Sequence, residues 1–227
     1  MDYQQLALKM NLREETTFAN FYEGNNQAVV AALKASLENR GEKFIYLSGP
    51  LSVGKTHLLQ ACCHFQESNA MYLSLKTPEL VPGVLQSLEK MPLVCLDDIE
   101  AIFGDAHWEE ALLHFYNRAR ENRISLFVAS VQMPTQSTCQ LADLRSRLSW
   151  GLFFQVKPLT DTQKVMAIRL HAEDRGLEFP DEVGEFLLRH FPRDMSVLFD
   201  LLDRLDGASF ISQRKLTVPF VKQVLGI

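Results

Sequence analysis

The residues with the most evident chemistry are Gly49-Pro50-Leu51-Ser52-Val53-Gly54-Lys55-Thr56, whose types and spacing are those of a P-loop. The two glycines let the backbone turn its N–H groups inward around phosphate oxygens, with Pro50, Ser52 and Val53 completing the cradle between them. A helix that begins at this loop points its positive end at the same anion. Lys55 reaches the outer phosphates, and the Thr56 hydroxyl is placed to hold Mg²⁺. His57 follows directly and is counted with the cradle, although a packing role suits it as well.

A second acidic motif completes this chemistry. Leu93-Val-Cys-Leu96 is an apolar run ending in Asp97 and Asp98, about forty residues after the P-loop, which leaves room for one helix–strand crossover. Asp97 is expected to hold Mg²⁺ through water, and Asp98 stands where an attacking water is polarised. A Glu at this place would reach about 1.5 Å further than Asp98. Misplacing a catalytic group by about 1 Å costs on the order of a hundredfold. Intrinsic hydrolysis is therefore expected to be slow, and Glu100 is a poorer substitute base.

These residues need a scaffold, and the pattern around them supplies one. Apolar runs at Phe44–Ser48, 71–75, 93–96, 126–129 and 152–156 read as strands, with helical periodicity between them. Strands separated by helices imply an α/β domain, a parallel sheet flanked by helices on both faces. From Thr160 onward the periodicity is helical only: a helix capped by Thr160 runs to about Arg175, another starts at Phe179-Pro180, a third covers residues 193–211, and the last begins at Thr217-Val-Pro219. The expected layout is an N-terminal arm over residues 1–15, a nucleotide-binding α/β domain over 16–158, and a small all-helical lid over 159–227.

Composition narrows the function. The net charge of −5 argues against direct DNA binding as the main task. Cys62, Cys63, Cys95 and Cys139 have neither metal spacing nor a disulfide framework, and they read as buried thiols of a reducing cytoplasm. No apolar stretch spans a bilayer, so a cytoplasmic location is expected and no membrane partner.

With these motifs in order, the chain resembles the AAA+ ATPases, and within them the DnaA/Hda family. Thr17-Phe-Ala-Asn-Phe21-Tyr-Glu-Gly24 resembles the segment that wraps the adenine, which implies a nucleotide contact by Phe21. Leu144-Arg-Ser-Arg147-Leu-Ser-Trp150-Gly151 resembles the arginine-finger segment, and Arg193-Asp-Met resembles the second sensor at the start of a lid helix. Gly104-Asp-Ala-His-Trp108-Glu-Glu and Gln213-Arg-Lys-Leu-Thr-Val-Pro-Phe-Val-Lys222 extend the likeness over nearly the whole chain. Gln5-Leu6-Ala7-Leu8-Lys9-Met10 resembles the peptide by which such proteins dock on the sliding clamp. An extended strand sets Leu6, Leu8 and Met10 on one side, and Gln5 offers its amide.

The resemblance implies a P-loop AAA+ sheet followed by a helical lid, and a negative regulator of DNA replication initiation. Such a regulator binds ADP (or ATP) with Mg²⁺ and docks on the DNA polymerase III sliding clamp, the β subunit, when that clamp is loaded on DNA. Through Arg147 in trans it stimulates ATP hydrolysis by DnaA. DNA and the nucleoid are then met only through the clamp, and a homodimer is possible. Arg145 competes with Arg147 for the finger role. Arg193, a cation opposing a helix dipole, needs an anion that a nucleotide phosphate would supply. The family pattern fails at Val131, where an acidic residue often stands, leaving Ser130 as the polar group at that strand end. An autonomous AAA+ ATPase, or a DnaA-like initiation or loader factor, is the alternative.

Overall fold

The computed structural model describes residues 16–227; Gln5, Leu6, Leu8 and Met10, expected to dock on the clamp, lie outside them. The described residues form two compact units. One contains residues 16–18 and 26–157, the other 19–25 and 158–227.

The first unit is a five-stranded parallel sheet in the order β2-β3-β4-β1-β5. The strands are β1 (Phe44–Ser48), β2 (Ala70–Ser74), β3 (Leu93–Asp97), β4 (Ser125–Ser130) and β5 (Leu152–Gln155). Every residue of β3 and β4 is buried, as expected of strands covered on both faces. Helix α1 (Gln27–Leu37) precedes β1, and α2 (Lys55–Gln66) follows it directly. Helix α3 (Ala106–Glu121) and the short α4 (Ala142–Leu148) flank β4 in sequence.

The sheet core, including Leu73, Val94, Leu96, Leu126 and Val128, packs with Leu112 and Phe115 of α3 and with Leu144 and Leu148 of α4. Leu144 and Leu148 are four residues apart and so share one helix face. That face anchors α4 inward, leaving Arg145 exposed and Arg147 half-buried. The register sets the polar strand ends along one edge. Ser48 lies beside Ser130 and Gln155, and Ser74 lies beside Asp97. Asn26 closes the unit on itself, its side chain accepting from the N–H of Lys157 at 2.7 Å and donating to its carbonyl at 3.0 Å.

The second unit is helical, with α5 (Asp161–Asp174), α6 (Asp181–His190), α7 (Met195–Ser212) and α8 (Val218–Leu225). Thr160 starts α5 with a full capping box against Gln163, and Thr217 caps α8 by accepting from the N–H of Phe220. Its core joins Ile168, Val183, Leu187, Leu198, Leu202, Leu205 and Val221. No helix among the described residues is long and apolar enough to cross a membrane.

Candidate nucleotide site

The P-loop occupies the turn from β1 to α2, on the strand between β4 and the edge strand β5, at the carboxyl end of β1. Gly49 has φ +151, and a Cβ there would sit 2.7 Å from the carbonyl oxygen of Val156, so the tight turn requires glycine. Ser52 and Gly54 both have positive φ, and Gly54 stands at the N-terminus of α2. The helix therefore starts immediately after the loop, with Lys55 and Thr56 as its first residues.

Lys55 is buried, and its Nζ donates to the carbonyls of Gly49 and Pro50, each at 2.7 Å. Burial lowers its pKa, and the carboxylates of Asp97, Glu100 and Asp98 pull in the opposite direction. A buried cation held on a glycine loop by backbone carbonyls is suited to an incoming phosphate.

At the end of β3, Asp97 is nearly inaccessible, with 1% of its surface exposed. Its Oδ2 accepts from Thr56 Oγ1 at 2.6 Å and from Tyr72 OH at 2.9 Å, and its Oδ1 accepts from the N–H of Asp98. Thr56 and Asp97 thus bring two hard oxygens together beside the loop. That small donor set fits Mg²⁺, which completes its octahedron with water and phosphate oxygens. Among the described residues no group of three or more His, Cys, Asp or Glu is placed to hold a metal ion.

Burial raises the Asp97 pKa, partly offset by the donors that bond the carboxylate. The sign follows from linkage. The stability that Asp97 contributes to the ligand-free protein is present while the carboxyl is protonated, and it is lost as pH rises through the elevated folded value. Toward neutral pH the ionised carboxylate is a cost that a bound cation would relieve. Asp97→Asn is therefore expected to raise the melting temperature of the ligand-free protein at neutral pH by about 2–4 °C, the effect of about 1 kcal/mol in a chain of this size. The same change should weaken Mg²⁺-dependent nucleotide binding about tenfold, a loss of one charge-assisted contact. Calorimetry, and nucleotide titration with Mg²⁺ or with chelator, read the two effects separately.

Asp98 leaves the strand with φ +56. Its carboxylate accepts from Ser74 Oγ at 3.0 Å and pairs with Lys76 Nζ at 2.6 Å. Lys76 also lies 4.0 Å from Glu100, whose other oxygen accepts from the N–H of Val131 at 3.4 Å. Tyr72, Ser74 and Lys76 are not singled out by the sequence; the available signal is polar residues at alternate positions at the end of β2, and the pairing of β2 with β3 is what brings them to Asp97 and Asp98. Ser130 is buried at the end of β4 and accepts from the N–H of Gln132 at 3.3 Å.

The other candidates are placed differently. His57 Nε2 lies 2.8 Å from the carbonyl oxygen of Thr17, so it ties residue 17 to α2. Phe21 is buried and belongs to the second unit, as does Arg193. Arg193 lies before the N-cap Asp194 rather than within the first turn of α7. Its anion within that unit is Asp161, at 2.5 Å, with a further bond from Nε to the carbonyl of Leu188. Asp194 instead caps the helix, accepting from the N–H of Ser196. All four cysteines are buried free thiols.

On α4 the two arginines separate. Arg145 Nη1 donates to the carbonyl of Cys139 at 3.4 Å. Arg147 makes no ion pair among the described residues; its guanidinium lies 4.2 Å from the ring centroid of Trp150, which is 41% exposed. Arg120 meets the same ring at 4.8 Å. Gly151, at φ +92, follows with no room for a Cβ against the carbonyl oxygen of Phe44, 2.3 Å away, and so turns the chain directly into β5. The loop before α4 is held by Glu109 of α3, whose carboxylate accepts from the backbone N–H of Gly104, Gln140 and Leu141.

Comparison with known proteins fits this geometry. Residues 161–225 match the family model described as the Hda lid domain. The fold is that of domain III of the replication initiation protein DnaA from Thermotoga maritima, with a TM-score of 0.79 and 21% identity over 96% of this chain and 98% of that one. DnaA from Aquifex aeolicus bound to AMPPCP matches with a TM-score of 0.67 and 24% identity, over 85% of this chain and 66% of that one. The Thermotoga maritima RuvB Holliday junction branch migration motor matches at 0.63 and 19% identity, over 89% and 68%. The sheet with its P-loop therefore has the fold of DnaA domain III, and the helical unit after it matches the Hda lid domain over residues 161–225.

Proposed function

We propose, from the premise that this chain is an AAA+ protein of the DnaA/Hda kind, that it is a negative regulator of replication initiation acting on DnaA. In this reading the P-loop, Lys55 and Thr56 hold the phosphates of ADP (or ATP), with Thr56 and Asp97 as the protein's oxygens toward Mg²⁺. The arm docks on the DNA-loaded sliding clamp, and Arg147 completes the ATP site of DnaA. DnaA then hydrolyses its ATP and no longer starts replication.

The observation that carries this reading is Arg147: half-buried on a helix anchored in the core, stacked on an aromatic ring, and with no carboxylate partner among the described residues. Such a guanidinium keeps all its donors for an outside anion. Weak intrinsic hydrolysis accords with Asp98, whose short carboxylate is engaged by Ser74 and Lys76. The direct test is ATP hydrolysis by DnaA with and without this protein on a DNA-loaded clamp.

The arm gives a separate prediction. Replacing Gln5 and Leu6 together by Ala is expected to weaken clamp binding by about tenfold or more, as loss of anchor residues does. Nucleotide affinity should be unchanged. Surface plasmon resonance on immobilised clamp, with a parallel nucleotide titration, checks both.

A further inference from the structure

We infer that Glu109 is a positioning residue for Arg147, fastening the start of the helix that carries it; the inference rests on the finger reading above. Glu109 is 1% exposed, yet no lysine, arginine or histidine pairs with it among the described residues. Burying a carboxylate is costly unless hydrogen bonds replace its water. Here backbone donors do so: Gly104 N at 2.8 Å, Gln140 N at 3.0 Å and Leu141 N at 2.7 Å. Burial pushes the carboxyl pKa up, and these three donors outweigh it, so the net shift is down and the ionised form is held. An apolar side chain would avoid burying a charge, but it would leave these three backbone N–H groups without an acceptor.

What is fixed is the entry to α4. Leu141 is the N-cap of that helix and has no side-chain cap of its own, so Glu109 takes its N–H from a neighbouring helix. Arg145 adds a second tether to the same loop through Cys139. From Leu141 the helix rises about 9 Å to Arg147, at about 1.5 Å per residue. A small change of angle at its base therefore moves the guanidinium by a large fraction of an ångström. Misplacement of about 1 Å at a reacting centre costs on the order of a hundredfold.

The test uses the full-length protein, DNA-loaded clamp and DnaA, with Glu109→Gln, Glu109→Asp and Arg147→Ala side by side. Glu109→Gln keeps one acceptor oxygen and turns an amide N–H₂ toward backbone donors. It is expected to lower the maximal rate of stimulated DnaA hydrolysis about tenfold or more. The concentration giving half-maximal stimulation, nucleotide affinity and clamp affinity should each stay within about twofold of the unsubstituted protein. Hydrogen exchange should rise at Gln140 and Leu141. A purely structural role would change half-saturation and nucleotide affinity together with the rate.

Should Glu109→Gln fail to fold, Glu109→Asp decides. A folded Asp variant with a reduced maximal rate supports the inference, and one with the full rate overturns it. A fully active Glu109→Gln beside an inactive Arg147→Ala also overturns it while leaving the finger reading intact. A fully active Arg147→Ala removes the finger reading, and the present inference with it.

Discussion

Arg147→Ala is expected to abolish stimulation of DnaA hydrolysis while leaving nucleotide binding and clamp binding as they were. A guanidinium supplied in trans to a phosphoryl-transfer site stabilises charge spreading over the γ-phosphate, and its removal costs on the order of a thousandfold or more in rate. The substitution should be structurally mild. Arg147 is half-buried, pairs with no carboxylate among the described residues, and lies over the ring of Trp150, while Leu144 and Leu148 hold the helix in the core. Arg147→Lys should recover little, because an ammonium lacks the planar fork and stacks less well on an indole. Arg145→Ala is the informative neighbour. Its guanidinium is turned back onto Cys139, so a partial loss is expected rather than a complete one. Single-turnover hydrolysis by DnaA under saturating variant protein reads these effects, with a clamp pull-down as the control for assembly.

Lys55→Ala should raise the dissociation constant for ADP and ATP about a hundredfold. A hydrogen bond to a charged group contributes about 1.5–3 kcal/mol, and about 1.4 kcal/mol is a factor of ten in affinity. Lys55 combines such a bond with a buried position beside the Gly49 and Pro50 carbonyls. The ligand-free protein should barely lose stability, because the desolvation that lowers the Lys55 pKa is relieved as its two hydrogen bonds are lost. If bound nucleotide is needed for activity, the variant should also stimulate DnaA poorly at nucleotide concentrations below its raised dissociation constant. Isothermal titration with ADP and a melting curve with and without nucleotide are the measurements.

Much of this architecture can be read from the chain, and the reasons are local. The strands are short apolar runs that end in a polar residue, so the expected runs at residues 44–48 and 93–96 match β1 and β3 closely. Thr160 and Gln163 form the capping box at the residue read as the start of the lid helix. Long-range partners are less legible. That Lys76 meets Asp98 depends on β2 lying beside β3, a matter of strand order and not of sequence spacing. Arg145 and Arg147 cannot be told apart on one short helix until the carbonyl of Cys139 is placed. Arg193 falls outside α7 because Asp194, its neighbour, is the better cap. Glu109 is not singled out by residue type, yet it shares the spacing of Leu112 and Tyr116, three and seven residues on, which is the buried face of α3. That periodicity was the available signal.

The most direct measurement is the turnover of ATP by DnaA on a DNA-loaded clamp, with this protein present or omitted and its own contribution subtracted using DnaA-free controls. The account predicts slow turnover by DnaA alone and by this protein alone, and a rise of at least tenfold when the two are combined, in line with what an arginine supplied in trans can contribute. Unchanged turnover by DnaA, with all the hydrolysis coming from the P-loop of this chain, would contradict it.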